Sequence, residues 1–187
     1  MSAKRYRVNE IFYSLQGEGF WTGTPMVFVR LSGCNLRCSF CDTDHSGFTE
    51  MSADEIVASA LPFAARRICL TGGESSLQAD DALIRAFHEA GFKVHIETNG
   101  THPLPEGIDW VTLSPKSAIV LKKADELKLV FTADAHPGQW LDFPAPWHFL
   151  QPCDRDGQAN IGPTIQYIQA HPEWRLSLQT HKLLDIR

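Results

Sequence analysis

Three cysteines lie within eight residues of each other in this chain, and this cluster limits the folds that the sequence can adopt. Cys34, Cys38 and Cys41 have the spacing C-x3-C-x2-C. They follow a short apolar run at residues 26–31, which is typical of a buried strand and is closed by Gly33. The cysteines are therefore predicted to lie in a loop at the carboxyl end of a strand, where active sites form on parallel α/β scaffolds.

Three interpretations of this cysteine loop follow from the chemistry of sulfur. Thiolates are soft ligands that suit iron–sulfur clusters and zinc. Three thiolates on a [4Fe–4S] cluster would leave one iron without a protein ligand, open to a substrate or cofactor. A structural zinc site would instead use His45, four residues beyond Cys41, as its fourth ligand. The third interpretation is that the thiols are inert and buried like Cys69, although inert thiols have no reason to crowd one loop.

The composition indicates a single domain. The chain has 187 residues, of which 43% are apolar, so we expect one domain with one core over residues 1–187. The net charge is -5 without a run of like charges, so no nucleic-acid partner is expected. An odd count of five cysteines indicates a reducing compartment. No apolar stretch has transmembrane length, so we expect a cytoplasmic protein without a membrane partner.

The spacing of the apolar segments predicts an α/β fold. The early strands are far enough apart for a helix, and residues 52–55 have the form of a helix capping box. In the second half, residues 100–109 and 132–146 are too short or too rich in proline for a crossover helix. We therefore predict an abbreviated, partial (βα)6 TIM-like barrel of about six strands. Strands are predicted at residues 8–14, 26–31, 68–71, 92–96, 110–113, 127–131, 147–150 and 175–178, and helices at 53–63, 81–90 and 163–170.

Several polar residues occupy the predicted strand ends. Glycines on both sides of Glu18 permit close approach to a ligand, although an ordinary turn is the simpler interpretation. Arg30 is a lone charge in an apolar strand, so it is either paired in the structure or binds an anion. His95 alternates with apolar residues and is expected to be packed. The tail at residues 179–187 ends after apolar residues, and we expect it to fold back as a lid.

The cysteine loop, with Phe40 directly before the third cysteine, resembles the cluster loop of radical S-adenosylmethionine (SAM) enzymes. This resemblance implies a partial barrel of the radical SAM type, with SAM as cofactor and a [4Fe–4S] cluster held by Cys34, Cys38 and Cys41. It also implies an external electron donor of the flavodoxin or ferredoxin type. A glycyl-radical-activating enzyme, which acts on a protein partner, would share this loop and remains an alternative.

Residues 10–19 resemble the opening of the 7-carboxy-7-deazaguanine synthase family, the queuosine-pathway members of this superfamily. This resemblance implies conversion of the small-molecule pterin 6-carboxy-5,6,7,8-tetrahydropterin to 7-carboxy-7-deazaguanine with loss of ammonia. It also implies a homodimer and a Mg²⁺ ion held partly by Thr43, in a loop of hard oxygen donors. Ser75 stands where the family usually has proline, and without the fixed φ of proline the loop is expected to be looser.

The same resemblance implies a set of binding residues at the predicted strand ends. Glu97 is expected to bind the guanidine-like edge of the pterin by charge-assisted hydrogen bonds, and Glu18 and Glu97 are the candidates for acid–base catalysis. The residues implied to contact SAM are Phe40, Cys41, Asp42, Gly73, Glu74, Ser114, Pro115, Lys116, Gln151, Pro152, Cys153 and Asp154. Those implied to contact the substrate are Leu15, Gln16, Gly17, Glu18, Arg30, Thr71, Glu97, His181 and the terminal carboxylate of Arg187.

Overall fold

The computed structural model describes residues 4–44, 47–155 and 157–187. His45, the fourth ligand of the zinc interpretation, lies outside the described residues. The strands are β1 (Tyr6–Leu15), β2 (Pro25–Leu31), β3 (Thr49–Met51), β4 (Arg67–Gly72), β5 (Lys93–Thr98), β6 (Trp110–Leu113), β7 (Glu126–Phe131), β8 (Trp147–Pro152), β9 (Asp154–Arg155), β10 (Gln158–Ala159) and β11 (Arg175–Leu176). The helices are α1 (Ala53–Ala60), α2 (Asp81–Glu89), α3 (Ile161–Ala170) and α4 (Thr180–Leu184), with 3-10 helices at Ser75–Leu77 and Pro137–Trp140.

Nine of the described strands form one sheet, in the order β11-β8-β7-β6-β5-β4-β2-β1-β3. From β2 to β8 the neighbours are parallel, as is the short β11 beside β8. β1 is antiparallel to both β2 and β3. β11 and β3 are the two edges, so the sheet does not close on itself in the described part of the chain. The prediction of a partial barrel with about six parallel strands is confirmed.

The distribution of helices along the chain also matches the prediction. α1 precedes β4 and α2 connects β4 to β5, whereas the described links from β5 to β6 and from β6 to β7 contain no helix. α1 begins with the predicted capping box, in which Ser52 and Glu55 bond to each other's backbone N–H groups. The helix ends at Ala60 instead of residue 63. Leu61 is still helical and its N–H donates to Val57, but Pro62 has no backbone N–H with which to continue the helix.

The two faces of the strands have different environments, since side chains alternate along a strand. Outward-facing aliphatic residues of β4 and β5, such as Ile68 and Val94, pack against α1 and α2 in the main core. Inward-facing residues include Arg30, Glu97 and Lys128, which line a cavity. The inner face of the barrel therefore carries the charged residues of the candidate site, next to a separate apolar cluster that includes Met26 and Phe28.

His95 lies inside the barrel near the amino-terminal ends of the strands. Its ring is stacked on Trp110 and meets Trp21 edge-on. Burial, together with the neighbouring Arg67 charge, lowers the pKa of His95 to about 4. The imidazole is therefore neutral at pH 7, and the prediction that His95 is a packed residue is confirmed.

None of the described helices has the length and apolarity needed to span a membrane.

Candidate functional site

A cavity of about 570 Å³ opens at the carboxyl ends of the parallel strands. This volume lies within the range of small-molecule and cofactor sites. The cavity is lined by the cysteine loop, the β1–β2 turn, the ends of the parallel strands and the C-terminal tail. All of the predicted site residues line it except Pro115 and Cys153. Both of these are buried, and the Cys153 backbone N–H donates to the Asn160 side chain at 2.7 Å.

The three thiols of the loop fit a cluster. Cys34, Cys38 and Cys41 line the same cavity, and none of them forms a disulfide within the described part of the chain. Burial and the nearby Cys41 and Cys34 raise the pKa of Cys38, although Lys116 lowers it. A zinc ion holds each sulfur about 2.3 Å from a single centre, whereas an iron–sulfur cluster has several irons to bind its thiolates. Among the described residues, no group of three Cys, His, Asp or Glu side chains converges on one ion position. Three thiols that line one cavity suit a cluster, whose several irons can bind them separately.

The end of β4 lies against the start of the cysteine loop. Gly72 has a φ of 110°, and a Cβ on Gly73 would lie 1.9 Å from the carbonyl oxygen of Gly33. The backbone N–H groups of Gly73 and Glu74 donate to Leu31 and Gly33 at 2.9 and 2.8 Å. Both of these amides are therefore used within the protein. The carbonyl groups are what this segment can offer to a ligand.

Glu74 is buried and joins the ends of β4 and β5. Its carboxylate accepts hydrogen bonds from the Thr98 hydroxyl at 2.5 Å, the Asn99 N–H at 2.6 Å, and both the N–H and the hydroxyl of Ser76. Ser75 occupies the first position of the 3-10 helix, where proline is well tolerated. Its hydroxyl donates to the Thr71 carbonyl at 3.0 Å. This hydrogen bond restrains the loop at the position where the family that the sequence resembles usually has proline.

Lys128 lies at the floor of the cavity between two carboxylates. Its side chain is 3% exposed, and its ammonium group pairs with Glu18 and, at 2.9 Å, with Glu97. The other oxygen of Glu18 accepts from the amides of Gln151 and Gln179 at 3.2 and 2.9 Å. Gln16 donates to the other oxygen of Glu97 at 3.1 Å. The two predicted acid–base candidates therefore belong to one buried network.

The charges of this network determine its protonation. Burial opposes ionisation of Glu18, but the Lys128 charge and the hydrogen bonds from Lys128 and Gln179 outweigh it, so the pKa of Glu18 is lowered. Burial likewise disfavours charged Lys128, but the surrounding carboxylates raise its pKa well above the usual range. Burial raises the pKa of Glu126, which lies two residues before Lys128 on β7, to about 7. The Lys128 charge and the hydrogen bond from the Phe20 N–H oppose this rise. Lys128 and Glu18 are therefore both charged at pH 7.

Arg30 is paired with an acidic residue that sequence reasoning did not predict. Its Nε donates to Glu10 at 2.8 Å, and its Nη1 lies 3.4 Å from the Thr43 hydroxyl. The Arg187 guanidinium also pairs with Glu10. Both guanidinium groups lie over the Phe12 ring, at 5.6 and 5.2 Å from its centroid. The interpretation that Arg30 is paired within the structure is confirmed. Arg30 also lines the cavity, so binding of an anionic ligand group by Arg30 stays a proposal.

The C-terminal tail folds back onto the β1–β2 turn, as predicted. The Thr180 N–H and hydroxyl donate to the Gly17 carbonyl at 2.9 and 3.0 Å. His181 packs so closely on this turn that a Cβ on Gly17 would lie 2.1 Å from its Nδ1. The Ser14 hydroxyl donates to the main-chain oxygen of Arg187. His181 and Arg187 are thereby brought to the cavity wall.

Several residues that line the cavity were not predicted from the sequence, and four of them make the ion pairs and hydrogen bonds described above or at the tail: Glu10, Lys128, Gln179 and Lys182. Lys128 carried a usable signal, since it is a lone charge in the apolar run at residues 127–131, as Arg30 is in its strand. The other three carried no such local signal, because their roles depend on contacts with distant segments.

Comparison with known proteins agrees with this geometry. The sequence model of the Radical SAM superfamily matches residues 28–125 of the chain. The 7-carboxy-7-deazaguanine synthase of Bacteroides thetaiotaomicron is 55% identical over 187 residues, covering 97% of this chain and 98% of that protein. The Bordetella pertussis 7-carboxy-7-deazaguanine synthase is 44% identical, covering 97% of this chain and 99% of that protein. The crystal structure of QueE from Escherichia coli is similar with a TM-score of 0.76 and 29% identity, covering 93% of each chain.

Proposed function

The chain belongs to the 7-carboxy-7-deazaguanine synthase family of radical SAM enzymes, and we propose that it converts 6-carboxy-5,6,7,8-tetrahydropterin to 7-carboxy-7-deazaguanine with loss of ammonia. This reaction belongs to the biosynthesis of queuosine-type 7-deazapurines. Membership of the radical SAM superfamily brings a [4Fe–4S] cluster and SAM as cofactors. It also argues against the zinc module. The relatives' shared name argues against a glycyl-radical-activating enzyme.

One observation carries the proposal: the three thiols of the loop line the same cavity as the Glu97 carboxylate at its floor and the Arg30 guanidinium at its wall. The substrate has a matching form, with a guanidine-like donor edge at one end and a carboxylate at the other. Glu97 supplies the acceptor, and Arg30, which lies near the Thr43 hydroxyl, supplies the cation. Charge-assisted hydrogen bonds at both ends would fix the orientation of the substrate.

The cofactors would be held by residues that the chain already places at the cavity. Cys34, Cys38 and Cys41 would hold the cluster, which with SAM supplies the radical chemistry that abstracts a hydrogen atom from the substrate. The segments around Gly73, Ser114 and Asp154 would hold SAM. One oxygen of Asp154 is buried and has no hydrogen-bond partner in the described part of the chain, which supports a role as acceptor for a polar ligand group.

A magnesium ion completes the proposed site. Mg²⁺ is commonly bound by one or two protein oxygens together with water and oxygen atoms of the substrate. The Thr43 hydroxyl is such an oxygen, and it lies 3.4 Å from the Arg30 guanidinium. Both groups would then meet the substrate carboxylate. Family membership further leads us to propose a homodimer in the cytoplasm, reduced by a flavodoxin- or ferredoxin-type donor.

The proposal is tested with anaerobically reconstituted protein, a reductant, SAM, Mg²⁺ and 6-carboxy-5,6,7,8-tetrahydropterin. Mass spectrometry should detect 7-carboxy-7-deazaguanine. Cys38→Ala should abolish both this product and 5'-deoxyadenosine, whereas Cys69→Ala, in the buried interior, should retain its iron and its activity. Formation of 5'-deoxyadenosine without any deazaguanine would overturn the substrate assignment and leave the radical SAM assignment intact.

A further inference from the structure

Lys128 has no role in the proposed reaction so far, although it lies at the centre of the cavity floor. β7 places it on the inward face between Glu18, from the β1–β2 turn, and Glu97, from β5. It is separated from these residues by 110 and 31 positions in the chain. The ammonium group therefore joins two segments that hold the substrate in the proposed function.

The two carboxylates that pair with Lys128 differ in how many hydrogen bonds they accept within the protein and in how exposed they are. Glu18 accepts from Lys128, Gln151 and Gln179, and its side chain is 14% exposed. Glu97 accepts from Lys128 and Gln16 among the described residues, and its side chain is 23% exposed. A carboxylate has about four lone-pair sites, so Glu97 retains more acceptor capacity than Glu18 on the side of the cavity.

We propose that Lys128 is a positioning residue that holds the Glu97 carboxylate with its remaining acceptor sites directed at the donor edge of the substrate. The inference rests on the proposed function. One ammonium between two carboxylates leaves one net negative charge, which suits a ligand edge made of N–H donors. Without the cation, two neighbouring buried carboxylates would repel each other, and one of them would bind a proton. Glu97 would then lose its charge or its orientation.

A purely structural role for Lys128 predicts a different result. Buried ion pairs often contribute little net stability, because desolvation offsets their attraction. A structural Lys128 would therefore affect folding and all activities together. A positioning Lys128 affects the interaction with the pterin far more than it affects SAM cleavage in the absence of the pterin.

The test compares Lys128→Met, Lys128→Arg and the matched control Lys123→Met, whose lysine is exposed on the β6–β7 link. Lys128→Met should raise the KM for 6-carboxy-5,6,7,8-tetrahydropterin by about 10- to 100-fold, the range expected for a charged hydrogen bond. Lys128→Arg should recover part of this loss, and Lys123→Met should match the wild type. Reductant-driven SAM cleavage without pterin should be equal in the wild type and Lys123→Met, and in Lys128→Met it should fall by a much smaller factor than the KM for the pterin rises.

A substrate analogue gives a second measurement. Replacing the 2-amino group of the pterin by oxygen removes a donor from the edge that Glu97 is proposed to bind. Wild type should discriminate against this analogue, and Lys128→Met and Glu97→Gln should both discriminate less. If Lys128→Met keeps the wild-type KM and the wild-type discrimination, the inference is wrong. If the wild type itself makes no deazaguanine, the proposed function fails, which is a separate result.

A charge-balanced variant covers the case in which Lys128→Met does not fold. The double variant Glu18→Gln with Lys128→Met has the same net charge at these three positions as the wild type and keeps the Glu97 carboxylate, so it should fold and load iron. Its KM for the pterin should exceed that of Glu18→Gln alone. Equal KM values in these two variants would overturn the inference.

Discussion

The ammonium group of Lys182 lies 2.8 Å from the carboxylate of Asp42, the residue that directly follows the third cysteine of the loop. The same ammonium lies 3.0 Å from Asp154. α4 is thereby tied to two segments proposed to bind SAM. Because Lys182 and Asp42 are 36% and 52% exposed, we expect each ion pair to matter more for the position of the tail than for global stability.

Lys182→Met should release the tail. Loss of these partly exposed ion pairs should raise the KM for the pterin by about 2- to 5-fold and change the free energy of unfolding by less than about 2 kcal/mol. Hydrogen–deuterium exchange should increase at residues 180–187, and Lys122→Met should leave it unchanged. Unaltered exchange of the tail in Lys182→Met would show that these ion pairs do not hold it.

Gly17→Ala should displace His181, because the added Cβ would lie 2.1 Å from its Nδ1. Displacement of a group that positions substrate can lower kcat/KM by about 100-fold, and we expect a loss of that order. Gly162→Ala provides the matched control, since its Cβ would meet open space. Equal kcat/KM values for the two variants would contradict the proposed contact between His181 and the substrate.

Glu126 should make stability depend on pH. Its pKa is raised from 4.5 to about 7 in the folded protein, chiefly by burial, with the Lys128 charge opposing and Glu97 adding to the rise. A group whose pKa is raised by folding favours the folded state most at pH values below its pKa in the unfolded chain. The free energy of unfolding of the wild type should therefore fall as the pH rises from 4.5 to about 7. Glu126→Gln has no carboxyl group at this position and should not show this fall. Its free energy of unfolding relative to the wild type should therefore rise by on the order of 3 kcal/mol between pH values below 4.5 and above 7.

Thermal unfolding of wild type and Glu126→Gln at pH 5 and pH 8 measures this difference. The other titrating groups are shared by both proteins and cancel in the comparison. A difference in Tm that does not grow with pH would be inconsistent with a neutral, buried Glu126 at low pH.

Ser75→Pro should destabilise the protein less than Ser76→Pro. Ser75 is the first residue of its 3-10 helix, so proline should cost less than about 1 kcal/mol, since its fixed φ offsets the lost hydroxyl bond to Thr71. The Ser76 N–H donates to Glu74 at 3.1 Å, and removing it should destabilise the protein by about 1–3 kcal/mol. Thermal unfolding and the iron content of both variants check this, and equal losses would contradict the assignment of Ser75 to the tolerant position.

The sequence by itself determined the features that depend on local pattern. The spacing of Cys34, Cys38 and Cys41 depends on neighbouring residues alone, and so do the strand periodicity and the capping box at Ser52. The glycine- and acid-containing turns at strand ends are local as well. These patterns located the six parallel strands and the rim of the cavity, because the carboxyl ends of parallel strands meet on one side.

Only the tertiary structure decided which of these residues meet. Lys128 joins Glu18 across 110 positions, and Lys182 joins Asp42 across 140 positions of the chain. Such contacts depend on how distant turns, strands and the tail pack together, and the pattern within one segment does not encode this packing. The five-residue α4 and the three-residue β3 escaped prediction for a related reason. Elements this short are stabilised by the surfaces on which they pack and not by their own sequence.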